Sequence, residues 1–234
     1  MIRIGKAIAG TLAIASLLAP IAADACTRIL WNDNDLAVFV GRTMDFPVST
    51  EPMITVLPRG LKHDGGLFAG ARIDDVNPAV WTSKYGSVVT SVYGAGTADG
   101  LNEKGVSMHL LYFIPADFGP RDPSKGGLQA ALWGQYVLDN AASVEEALTL
   151  LDGVQPLMVE HDGILATVHL AIEDASGDSA IIEYIPGGKK TVYHSPDYRI
   201  MTNDPSYDQQ LAYRATFNFD NATRETPIPG NTDA

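Results

Sequence analysis

"ADACTRILW", residues 23–31, decides how the rest of the chain is read, because it joins a cleavable leader to the only cysteine in the sequence, Cys26. Upstream, Arg3 and Lys6 form a short positive region, and residues 7–23, AIAGTLAIASLLAPIAA, are apolar. Ala23-Asp24-Ala25 then supplies the small-x-small pattern after which signal peptidases cut. Gly10 and Pro20 interrupt the apolar stretch, which favours a removed leader over residues 1–25 and export to a periplasm or to the medium. No second apolar run is long enough to span a bilayer. Cleavage before Cys26 would place a thiol and a free α-amine on one residue. An α-amine has an ordinary pKa of about 7.7–8.0, so near neutrality a useful fraction can take the thiol proton, directly or through a water.

The formal net charge is −12, and losing Arg3, Lys6 and Asp24 with the leader takes it to −13. That balance is a poor match for nucleic acid or an anionic membrane, whose phosphates need a basic face. It reads as a soluble, self-repelling surface. One cysteine allows neither an internal disulfide nor a thiol pair for a metal or redox centre. The 209 residues after the leader can bury one substantial core. With no repeat, low-complexity tract or linker to divide them, residues 26–234 are expected to form one domain.

Strands dominate the pattern, with helices in the middle. TRILW and LAVFVG flank Asn32-Asp33-Asn34-Asp35 and predict a hairpin. MITVLP (53–58), GSVVTSVYG (86–94) and GVSMHLLYF (105–113) predict further strands, and the Gly-, Asp- and Asn-rich breaks between them predict loops. LQAALWGQYVLD, residues 128–139, has the spacing of a mostly buried helix. Ser143-Val144-Glu145-Glu146 predicts a capping box opening a second helix to about Leu151, with Gly153 as a stop. ATVHLAIED and SAIIEYI alternate on either side of residues 175–178 as a second hairpin, followed by the short strands KTVYH and YRIMTN. Strands, two helices and strands again make an α+β fold with helices layered on antiparallel sheet.

Most candidate chemistry has an ordinary structural explanation. The five histidines show no metal-ligand spacing, and His109 and His169 lie in predicted strands, where a packed or surface histidine suffices. No serine occupies a Gly-x-Ser-x-Gly elbow, and GLFAGA fits neither the P-loop nor the dinucleotide pattern. Cys26 stands out by position, and three readings of it stay open on residue chemistry. It can be a nucleophile carrying its own base, a small apolar core residue, or a lipid anchor, for which Asp24 fits the preceding pattern poorly. VGRTMDF (40–46) places Arg42 and Asp45 at the end of the second strand, which hairpin pairing returns towards Cys26. Asp45 can orient the α-amine and Arg42 can favour the thiolate by charge; a surface Arg–Asp pair is the alternative. In MTNDPSYDQQL (201–211), Asn203 can donate to an oxyanion or serve as a turn residue.

Together these stretches resemble the choloylglycine hydrolase family, the bile salt hydrolases and penicillin V acylases among the N-terminal-nucleophile hydrolases. The matching pieces are CTRILW at 26–31, GRTMD at 41–45, DGLNEKGVSMHLLYF at 99–113 and MTNDPSYDQQL at 201–211. WTSKYGSVV and SGDSAIIEY add likeness to the Gram-negative penicillin V acylase branch. The resemblance implies an αββα sandwich, usually assembled as a homotetramer, acting on a small-molecule acyl amide with no cofactor. It casts Cys26 as nucleophile, Asp45 as holder of the amine, Arg42 as the arginine beside the thiol and Asn203 as an oxyanion donor. Tyr112 matches the position whose backbone N–H completes the oxyanion hole and whose ring lines the acyl pocket, and Met44 and Phe46 match pocket positions.

The implied reaction is amide hydrolysis through a thioester, on penicillin V-like substrates and on N-acyl homoserine lactones. Bile salt hydrolysis is the alternative within the class; bile salt hydrolases resemble one another in carrying asparagine where this chain has Tyr112. The alternative from another class is a lipid-anchored binding protein with a modified Cys26. Relatives run longer and continue past a segment like TPIPG (226–230) to a further active-site arginine, so a C-terminally truncated sandwich is expected, its function that of a longer parent.

Overall fold

The computed structural model describes residues 25–218. The predicted leader, apart from Ala25, and the TPIPG segment lie outside the described residues. The first hairpin forms as expected: β1 (Thr27–Trp31) pairs antiparallel with β2 (Phe39–Thr43), with Arg28 directly opposite Arg42. Its turn is closed locally, Asn34 Oδ1 accepting from Leu36 N at 2.9 Å and Ala37 N at 3.0 Å. Four strands of one large sheet follow, β3 (Met53–Leu57), β4 (Ser87–Val92), β5 (Gly96–Asn102) and β6 (Ser107–Tyr112), with two short strand pairs lying between β3 and β4. The middle of the chain holds β7 (Gly126–Gln129), α1 (Trp133–Asn140), α2 (Val144–Leu151) and β8 (Val154–Leu157), with β7 and β8 a parallel pair. β9 (Val168–Glu173), β10 (Ser179–Ile185), β11 (Lys189–His194), β12 (Ile200–Thr202) and α3 (Tyr207–Arg214) complete the described chain.

Two sheets result. The large one has seven antiparallel strands in the order β11-β10-β9-β6-β5-β4-β3; the small one has three, β12-β1-β2. Side chains alternate across the large sheet. Met108, Leu110, Leu170, Ile172 and Ile182 pack under Trp133, Val137 and Leu138 of α1. Leu111, Ala171 and Ile181 point the other way, onto Cys26 and Met201 of the small sheet and Tyr207 of α3. The stack is therefore helix, large sheet, small sheet, in agreement with the expected α+β sandwich. On the outer face of the small sheet, where an αββα sandwich has its second helical layer, Ile29, Trp31, Phe39 and Ile200 are each about half exposed.

Three segments differ from expectation. Composition predicts a loop over residues 95–104, yet β5 is an interior strand of the large sheet. Its small residues are a packing requirement: a Cβ on Gly100 would lie 2.7 Å from Leu138 and from Val89, so α1 seats against bare backbone there. The helix expected over 128–139 begins only at Trp133, after a single 3₁₀ turn, because Gly126–Gln129 is drawn into the β7–β8 ladder. α3 carried no amphipathic signal, with Tyr207 its one buried residue, and its first N–H is satisfied from a distance by the Glu183 carboxylate at 3.0 and 3.1 Å. The capping box at α2 also departs in detail. Ser143 Oγ accepts from Glu146 N at 3.1 Å, but Glu146 reaches back to Ala142 N at 2.8 Å rather than to Ser143.

Candidate active site

Cys26 enters β1 in the middle of the small sheet, so both neighbouring strands deliver residues to it. From β12, Thr202 Oγ1 donates to Cys26 O at 2.8 Å, and the pairing of Thr27 with Thr202 places Asn203 opposite Cys26 one step further on. From β2, the pairing of Thr27 with Thr43 runs on towards Met44 and Asp45, and Cys26 Sγ lies 3.7 Å from the Asp45 backbone carbonyl. Asp45 is exposed and approaches the thiol through its main chain. Cys26 is 3 % exposed, and its nitrogen is here the amide joined to Ala25, which becomes an amine only if that bond is cut. Asn203 is 9 % exposed, and its Oδ1 has no hydrogen-bond partner among the described residues. That orphan is an acceptor; an oxyanion would be met by the other end of the amide, the Nδ2 donor.

Cys26, Arg42, Met44, Phe46 and Tyr112 line one pocket, so the geometry gathers the nucleophile, arginine and substrate-contact candidates in one place. The Phe46 and Tyr112 rings meet edge to face at 5.9 Å. The remaining wall is mostly apolar and comes from residues that the sequence did not mark as part of a site, including Phe68, Val92, Val159, Ile164 and Leu165. Tyr93 adds an aromatic wall from the tight β4–β5 turn, where it and Gly94 both take positive φ, 52° and 61°. Tyr112 also presents its backbone to the site. Phe113 N donates to Thr167 O at 2.8 Å on the β9 side, so strand alternation turns the Tyr112 N–H to the opposite edge. β5 pairs along that edge only up to His109.

Arg42 is anchored from the same edge. Its Nη1 donates to Leu110 O at 3.0 Å and Ala98 O at 2.9 Å, and Asp99 Oδ2 stands 3.6 Å away. The surface pair with Asp45 considered from sequence is thus replaced by a carboxylate from β5. Behind it runs a charged cluster that residue spacing did not reveal. His109 Nδ1 is 2.5 Å from Asp99 and its Nε2 2.5 Å from Glu173, and Glu173 pairs with Arg28. Burial opposes a charge on His109, but Glu173 and Asp99 outweigh it and raise the imidazole to about 9. Burial would likewise raise the Glu173 carboxyl, yet the His109 and Arg28 charges bring it down to about 2. Among the described residues no group of three or more His, Cys, Asp or Glu is arranged to hold a metal, and no helix is long and apolar enough to cross a membrane.

Comparison with known proteins bears on this arrangement. The profile of the linear amide C–N hydrolases, choloylglycine hydrolase family, matches residues 26–234. A penicillin V acylase of Pectobacterium atrosepticum is 40 % identical over 92 % of this chain and 60 % of its own length. A bile salt hydrolase/transferase of Bifidobacterium longum subsp. longum is 27 % identical, over 78 % of this chain and 56 % of its own. Among solved structures, the penicillin V acylase from Agrobacterium tumefaciens superposes with a TM-score of 0.70 at 40 % identity, covering 82 % of this chain and 56 % of that one. The chain thus spans somewhat over half the length of the relatives it matches.

Proposed function

Since the chain belongs to the choloylglycine hydrolase family of linear amide C–N hydrolases, we propose that it hydrolyses an amide joining an apolar acyl group to a polar amine, through a thioester on Cys26. The observation that carries this is the single thiol in the lining of an apolar, partly aromatic pocket that also contains Arg42. In the proposed reaction the free α-amine of leader-cleaved Cys26, oriented by Asp45, takes the thiol proton, and the sulfur attacks the amide carbonyl. The Asn203 side-chain amide and the Tyr112 N–H stabilise the oxyanion. The α-ammonium then protonates the leaving nitrogen, the C–N bond breaks, and water attacks the thioester to release the acid and regenerate the thiol.

The acyl side suits a penicillin V-like substrate, with Met44, Phe46 and Tyr112 against the apolar group. An N-acyl homoserine lactone has the same design, an acyl chain on an amide beside a polar ring. Bile salt hydrolysis is the second reading, favoured by the bile salt hydrolase/transferase relative. Export and homotetrameric assembly complete the proposal.

The test is to express the protein with its leader, determine the N-terminus and intact mass, and compare penicillin V, glycocholate and a long-chain acyl homoserine lactone. Wild type should begin at Cys26 and cleave at least one of them, penicillin V fastest, while Cys26→Ala cleaves none. A diacylglyceryl-modified terminus, or turnover that persists with the terminal amine capped, would overturn the mechanism. Elution as a tetramer on size exclusion checks the assembly.

A further inference from the structure

Arg28 and Arg42 face each other directly across β1 and β2, and both are drawn inward between the sheets. Like charges in that register repel unless anions separate them. The large sheet supplies the separation. Glu173 of β9 takes Arg28 through Nε at 3.1 Å and through Nη2, and Arg28 is held further by Ser179 Oγ at 2.9 Å and Tyr198 O at 2.8 Å. Asp99 of β5 stands beside Arg42. His109 of β6 lies between the two carboxylates with one ring nitrogen on each.

A neutral imidazole has a single N–H and would turn a lone pair towards one of these carboxylates; the imidazolium donates to both. The result is an alternating row, Arg28, Glu173, His109, Asp99, Arg42. Its inner end is wholly buried and its outer end reaches the pocket of Cys26. The remaining contacts of Arg42 are neutral carbonyls, so Asp99 is its one charged anchor in the row, and Asp99, partly exposed, is itself held by His109. The charged groups facing His109 are Asp99 from β5, Glu173 from β9, Arg28 from β1 and Arg42 from β2; Ser107 adds a hydroxyl that donates to Glu173.

We propose that His109 is a positioning residue for the hydrolysis. By bridging Asp99 to the buried Arg28–Glu173 pair, it sets where the Arg42 guanidinium stands in the pocket of the Cys26 thiol. This rests on the reading of Cys26 as nucleophile.

A double-mutant cycle on the leader-cleaved protein, His109→Gln against Arg42→Lys, tests it with two readouts: penicillin V kinetics and the rate of Cys26 alkylation by iodoacetamide. If His109 acts through Arg42, His109→Gln lowers kcat by about tenfold with KM within about twofold, slows alkylation by a similar factor, and costs under about twofold more in the Arg42→Lys background. Equal factors in both backgrounds, or a loss of thermal stability with kcat and alkylation unchanged, overturn the proposal. Should His109→Gln fail to fold, Asp99→Asn cuts the same link at its partly exposed end and is held to the same outcomes. A wild type that cleaves no amide defeats the functional reading, while the alkylation cycle still decides whether His109 acts on Arg42.

Discussion

On the helix-covered face of the large sheet, Met108, Leu110, Leu170, Ile172 and Ile182 pack against Trp133, Val137 and Leu138. On the opposite face the alternate residues of the same strands include His109, His169, Glu173 and Glu183, all equally buried. The first face is stabilised by apolar burial, about 25 cal/mol for each Å² removed from water. The second keeps its carboxylates partnered: Glu173 with Arg28 and His109, and Glu183 with His169 Nδ1 at 3.0 Å and Tyr207 N. Buried ion pairs add little net stability, because desolvation offsets their attraction, but they fix geometry when every partner is present. The pleat therefore puts the wholly apolar packing on the helix side, while the side facing the small sheet combines an apolar cluster around Cys26 with the paired charges.

That separation can be broken by experiment. The largest effect belongs to the helix side: Trp133→Ala, at 1 % exposure, should lower unfolding free energy by about 3–5 kcal/mol in denaturant titrations. The molecules still folded should keep their KM, and a changed KM would show that the faces are not independent. Next, Asn203→Ala should lower kcat by roughly 10²–10³, about 2.7–4 kcal/mol of transition-state stabilisation, with little change in melting temperature. Its Oδ1 holds nothing in the described structure, so a large fall in melting temperature would assign Asn203 to the scaffold instead.

A smaller, pH-dependent effect should come from His109. Its folded pKa, about 9, lies above the ordinary 6.5, so its stabilising contribution is complete below about pH 6.5 and is lost as pH rises through about 9. Denaturant titrations of wild type across that range should show the loss, and His109→Gln should lack it. The same alkaline loss in both proteins would place its origin elsewhere. The smallest effect, about 1 kcal/mol, is expected for Ser143→Ala, which removes the hydroxyl accepting from Glu146 N at the start of α2. A loss well above that would show that the cap also supports the Asp174 carboxylate, which accepts from Val144 N at 2.9 Å.

Local pattern was legible where local forces decide. The two hairpins, the Ser143 start of α2 and the strands over 53–57, 87–92 and 107–112 follow from alternation and turn residues. β5 was missed because its glycines mark a loop by composition while serving as the floor for Leu138. α3 was missed because its cap, Glu183, lies 24 residues upstream. At the site, the sequence motifs single out Cys26, Arg42, Met44, Phe46 and Tyr112, which meet in one pocket, and Asn203 stands across the strand pair from Cys26. Asp99, His109 and Glu173 are not singled out, since nothing in their spacing says that three strands will bring them within hydrogen-bonding reach.

By itself the sequence determined the periodicities that make sheets and helices, the place of its one thiol behind a cleavage pattern, and the motifs that carry the family likeness. Only the tertiary structure decided that Arg42 takes Asp99 rather than Asp45 as its carboxylate neighbour, and that a histidine in mid-strand bridges two acids. The reason is physical. Hydrophobic alternation is a property of neighbours along a chain, whereas the charge on a buried group depends on which other charges long-range pairing places beside it.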